Sequence, residues 1–134
     1  NKARTIVRTH VYANKGLNFA GNQGETPKVP GVAVINPFKT DMTNDARYEQ
    51  MENRLNSGDL GNRLGWGLLK RIDNYGEDLY NNYMTVDFYE KMSDVMLSRI
   101  QTGTAPRQMQ EVIKMRKHQQ SIPLWLGISV RPKE

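Results

Sequence analysis

Hydrophobic positions fall at helical spacing over most of the chain after residue 42. In TNDARYEQMENRLNS, residues 43–57, Tyr48, Met51 and Leu55 sit at i, i+3 and i+7, with Asp45, Glu49 and Glu52 toward the positive end of the helix dipole. Ser57-Gly58 ends that helix and Asp59 is placed to cap the next. In DLGNRLGWGLLKRIDNYG, Leu60, Leu64, Leu68 and Ile72 recur every four residues, and Gly76 follows as a stop. This predicts the most strongly patterned helix of the chain. Its interior glycines, Gly61, Gly65 and Gly67, each cost roughly 1 kcal/mol relative to alanine. Either a backbone or nucleic-acid strand comes close to that face, or the helix starts late.

A third helix is predicted from an N-cap at Thr85 through VDFYEKMSDVMLSRIQ, with Val86, Tyr89, Met92, Met96 and Ile100 on one side. Gly103 closes it, and GTAP supplies Thr104 as the next N-cap with Pro106 in the first turn. The fourth helix, RQMQEVIKMRKHQQ, turns Met109, Val112 and Ile113 inward. Arg107, Lys114 and Lys117 or His118 fall outside. Ser121-Ile122-Pro123 breaks it, and PLWLGISV is an apolar extended tail that must pack somewhere. Before residue 43, Gly16, Gly21, Gly24, Pro27, Pro30, Gly31 and Pro37 leave only TIVRTHVY and VAVI as strand-like pieces. The expectation is an all-α fold: a helical bundle of about four helices over 43–134, behind a long extended N-terminal arm over 1–42, with an apolar C-terminal tail.

Charge changes that picture by giving the arm a role. Residues 1–40 hold Lys2, Arg4, Arg8, Lys15, Lys28 and Lys39 against Glu25 alone, whereas residues 41–134 balance 13 basic with 13 acidic side chains. The net +5 therefore resides in the arm. A basic, glycine-rich extension can lie along a phosphate backbone or a neighbouring subunit. KMRKH and Arg107 on the fourth helix, with Arg63, Lys70 and Arg71 on the second, add two basic helix faces. The chain has no cysteine, which excludes disulfides, thiolate metal sites and a cysteine nucleophile. No apolar run is long enough to span a bilayer.

Catalytic patterns are sparse. The G-x-S-x-G, H-E-x-x-H and Walker patterns are missing, and no cofactor is predicted. Asp73, Glu77 and Asp78 in DNYGEDLY are possible Mg²⁺ ligands, but acidic residues in such a loop are more often solvated surface, and no metal site is assigned. His10 and His118 with Arg116 offer an alternative, a small metal-free ribonuclease or toxin-like enzyme. QTGTAPRQM as the corner of a helix-turn-helix offers another, a sequence-specific DNA-binding regulator, although the next helix lacks a recognition-type start.

The order of elements resembles the major coat proteins of filamentous and rod-shaped archaeal DNA viruses, lipothrixvirus- or rudivirus-like. The resemblance is carried by the arm, by Gly65-Trp66-Gly67-Leu68, by Ala105-Pro106-Arg107-Gln108, and by Ile122-Pro123-Leu124 before the tail. It spans roughly residues 60–130. The helix between the last two motifs is shorter here than in the rod-shaped members, and the chain is more charged. The resemblance implies a helical fold whose dimers, often of two related coat subunits, wrap double-stranded DNA and hold it in A-form, and it admits an outer lipid envelope. On this reading the protein is a non-enzymatic structural subunit of a virion filament, binding duplex DNA without regard to sequence and associating with itself or with a related subunit. Lys2, Arg4, Arg8, Lys15, Arg63, Lys70, Arg71, Arg107, Lys114, Arg116 and Lys117 are the candidate phosphate contacts. Tyr12, Phe19, Trp66 and Trp125 are the candidate anchors between subunits.

Overall fold

The computed structural model describes residues 11–19, 28–73, 81–101 and 106–127 of the 134-residue chain. In chain order the elements are β1 (Tyr12–Asn18), β2 (Val32–Phe38), α1 (Asp45–Leu55), β3 (Gly65–Arg71), β4 (Tyr83–Tyr89), α2 (Met92–Gln101), α3 (Arg107–Lys114) and β5 (Ile122–Trp125). The strands form one sheet in the order β1-β3-β4-β2-β5, and every neighbouring pair is antiparallel. The expected all-α helical bundle is thus overturned: the described residues form a five-stranded antiparallel sheet with three short α-helices.

The reason lies in two segments whose apolar residues fit both periods. Leu64 and Leu68 are four apart, which is one helical turn but also two strand repeats. In GWGLLKR the inward residues are Trp66 and Leu68, while Gly65, Gly67 and Leu69 take the opposite face. That alternation avoids placing three glycines inside a helix. The run from Tyr83 to Tyr89, expected to enter a helix at Thr85, is rich in aromatic and β-branched residues and is the central strand. α2 begins only at Met92.

Residues expected in the arm also join the sheet. Lys15 opens a bulge between Asn14 and Gly16 in β1, and β2 lies inside the sheet, between β4 and β5. Pro37, which has no N–H to give, lies past the end of the β2–β5 pairing. The apolar tail finds its place as β5, with Val32 opposite Trp125 and Ile35 opposite Ile122. The α1 and α3 predictions keep their type, and α1 runs within its expected span.

All three helices lie on one face. Phe38, Tyr48, Leu60, Trp66, Leu68, Tyr83 and Val112 form the main core beneath α1 and α3. Val32, Val34, Tyr89 and Val95 form a second cluster beneath α2. Phe38 stacks on Tyr83 at 6.1 Å, and Tyr48 meets both rings. Gly16 lets α1 approach β1, because a Cβ there would lie 2.9 Å from Trp66 Cη2 and also against Asn53 Oδ1.

Candidate functional site

α1 carries three acidic and two basic residues, so its sequence appears nearly neutral. The fold separates them. Asp45 Oδ2 pairs with Lys70 Nζ at 2.7 Å, and Glu49 Oε1 accepts from Tyr83 OH at 2.7 Å. Glu52, 2% exposed, pairs with Arg116, accepts from Tyr48 OH, and accepts from Asn56 Nδ2 at 3.1 Å. All three carboxylates are engaged by other elements, Glu52 buried and Asp45 and Glu49 half-buried. Arg47, Gln50 and Arg54 are left exposed on the outer surface.

α3 lies against α1 with Val112 buried and Arg107, Gln108, Glu111 and Lys114 exposed, so here the acidic residue stays on the surface with the cations. Between the two helices runs a groove of about 420 Å³, walled by Arg47, Gln50, Arg54, Gln108 and Glu111, with Met51, Leu55 and Val112 also lining it. Arg47 and Arg54, like Arg107 and Lys114, are seven residues apart, close to two helical turns or about 10 Å along the axis. Each helix therefore presents a pair of cations on one stripe. Just beyond α3, Lys117 is exposed, and its backbone is pinned by reciprocal bonds of 2.7 Å with Lys39. Arg107 reaches Glu111 at 3.5 Å, but at such exposure the pair holds the guanidinium weakly.

The structure divides the predicted phosphate contacts. Arg63 pairs with Asp87 at 3.0 Å, Lys70 with Asp45, and Arg71 with Asp73 at 2.7 Å. Arg116 is enclosed by Glu52, Tyr48 and the ring of Phe38, 4.7 Å away. Burial acts to lower the Arg116 pKa, but the carboxylate of Glu52 outweighs it and holds the guanidinium above its ordinary value. Burial, reinforced by Glu52, pushes the Tyr48 phenol well above its ordinary range. These four cations serve the interior. Lys15, Arg107, Lys114 and Lys117 remain on the surface, while Lys2, Arg4 and Arg8 lie outside the described residues.

Of the expected subunit anchors, Trp66 is a core residue, 2% exposed. Trp125 is 74% exposed on β5, and Phe19 packs its half-exposed ring 5.6 Å from Phe88. Tyr12 is half-buried, and its hydroxyl accepts from Asn81 Nδ2 at 2.6 Å. Sequence reasoning missed Arg47 and Arg54. The helical wheel does not single them out, because at about 100° per residue Glu49 and Arg47 lie equally far to either side of Tyr48; what separates them is the pairing of Asp45, Glu49 and Glu52 with Lys70, Tyr83 and Arg116 on other elements.

A second concavity, of about 750 Å³, opens between the sheet floor, α2 and α3. Its polar end is a closed chain: Ser121 Oγ donates to Asn36 Oδ1 at 2.6 Å, Asn36 Nδ2 donates to Asp87 Oδ2 at 3.1 Å, and Arg63 holds Asp87 Oδ1. Ser121 gives its proton to an amide oxygen rather than to a base, which is a structural tie between strands and not an activated nucleophile. His118 is exposed with φ 55°, and His10 lies outside the described residues. Asp73 is held by Arg71, and Glu77, Asp78 and most of the GTAP turn lie outside the described residues. Among the described residues no cluster of three acidic or histidine side chains could hold a metal ion, and no helix is long and apolar enough to cross a membrane. Compared with protein-family models, curated proteins and solved structures, the chain matches none.

Proposed function

We propose that this chain is a structural nucleic-acid-binding subunit that holds duplex DNA by sequence-independent phosphate contacts across the outer surface of α1 and α3. One observation carries the reading: α1 engages Asp45, Glu49 and Glu52 with Lys70, Tyr83 and Arg116 and leaves Arg47 and Arg54 outside, across a groove from α3, which exposes Arg107 and Lys114 together with Glu111. Each phosphate neutralised there releases condensed counterions whatever the base sequence. Gln50 and Gln108, which line the groove with Arg47 and Arg54, can donate to phosphate or sugar oxygens, which positions a backbone without reading bases. The archaeal coat-protein resemblance lends no support, because the helical fold it implies is not the fold of this chain.

The test is binding of the full chain to duplexes of unrelated sequence at two salt concentrations. Equal affinities across sequences, falling together as salt rises, are the expected result. Affinity confined to one sequence would favour a regulator, and no binding at low salt would overturn the proposal.

A further inference from the structure

The face of the sheet opposite the helices is uncovered among the described residues. Register places Leu17, Leu69, Met84, Val86, Phe88 and Ile35 on it, and Ile122 and Leu124 continue it across β5. Leu17 is 58% exposed and Ile122 and Leu124 are exposed at the two edges, Leu69, Met84, Val86, Phe88 and Ile35 between them are half-buried, and Phe19 closes the β1 side over Gly65, where a Cβ would strike its ring. Of the residues register places here, Arg71 alone is charged, and Asp73 neutralises it.

We propose that a second copy of this chain docks on that face, sheet against sheet. Area is the first reason. Five strands at about 4.8 Å spacing and some seven residues at about 3.3 Å each give a footprint of roughly 500 Å². The side chains standing on it raise the accessible area toward the roughly 800 Å² per partner that a stable complex buries. Charge is the second reason. The protein carries net +5, yet two copies can meet here without bringing unpaired like charges together. The edges supply the third: β1 is interrupted by its bulge at Lys15, and β5 is four residues long with Pro123 inside it. Such edges disfavour growth strand by strand, so association is directed to the face. Nucleobases are the weaker occupant, since most of the face is aliphatic and offers little to stack on.

The inference stands on the sheet and not on the phosphate contacts. Light scattering of the full chain across a concentration series should show a dimer. Val86→Lys, at the middle of the central strand, should weaken association at least 100-fold while the far-ultraviolet circular dichroism stays native. If that variant fails to fold, Val86→Cys reports instead, because the chain has no other cysteine: a bifunctional maleimide of about 10 Å reach, the spacing of packed sheets, should yield a covalent dimer. A wild-type monomer at every concentration, a folded Val86→Lys dimer, or loss of single-stranded DNA binding on Val86→Lys without change of oligomeric state would each overturn the inference. A monomer that still binds duplex DNA would overturn this inference alone. A dimer that binds none would overturn the phosphate reading alone.

Discussion

At the scale of single residues, the decisive group is the buried set Tyr48, Glu52, Asn56 and Arg116, which ties α1 to the segment after α3. An ion pair out of water gains little over apolar packing, but removing one member strands the other. Arg116→Met should therefore lower the unfolding free energy by about 3–5 kcal/mol, read from urea denaturation, whereas Glu52→Leu with Arg116→Met should cost much less. Tyrosine ionisation gives a second expectation. Burial raises the phenols of Tyr48, Tyr83 and Tyr89 above the ordinary 10.0. The unfolded chain releases those protons first as pH climbs, so their contribution is complete below pH 10 and declines above it. Tyrosinate absorbance from these three should appear together with loss of circular dichroism, not before it. Early, independent titration of all the tyrosines would contradict the burial described here.

Elements were legible in the sequence where one period dominated. α1 kept Tyr48, Met51 and Leu55 on its inner face as expected, because no strand pattern competes with that spacing. β3 was read as a helix because leucines four apart satisfy both periods, and β4 because Val86 and Tyr89 continue at helical spacing into Met92 and Met96; the glycines of β3 were assigned either to a close approach by a backbone or nucleic-acid strand or to a late helix start. Their neighbours are intramolecular: Gly65 lies under Phe19 and Gly67 under Leu17. The arm misled for a different reason. VAVI was read as strand-like and is the start of β2, but its partners β4 and β5 follow it by dozens of residues, so its place inside the sheet rests on non-local pairing that the local pattern does not show. The close approach of α1 to β1 is testable directly. Gly16→Val should destabilise by about 1–3 kcal/mol, since its Cβ meets Trp66 and Asn53. Gly67→Ala, whose Cβ would find only ordinary contacts at 3.6 and 3.8 Å, should be neutral or slightly stabilising by thermal denaturation.

At the scale of the molecule, the two surfaces have opposite chemistry. α1 has engaged its carboxylates and shows cations, while α3 shows Arg107 and Lys114 with Glu111 between them, whereas the opposite face of the sheet carries aliphatic and aromatic side chains. A sheet-to-sheet dimer would direct its two cationic surfaces away from each other, so one dimer can touch two duplexes or two stretches of one. The part of this legible from sequence was the excess of basic residues. Which of them face solvent was not, because Arg63, Lys70 and Arg116 find carboxylates at 24, 25 and 64 residues' separation only once the chain has folded, while Arg71 takes the nearby Asp73. The most direct test is the salt dependence of duplex affinity for the wild type, for Arg47→Gln with Arg54→Gln, and for Lys70→Met as an internal control. The double variant should bind more weakly with a slope shallower by about two, while Lys70→Met keeps the wild-type slope. An unchanged slope in the folded double variant would show that α1 does not hold the nucleic acid.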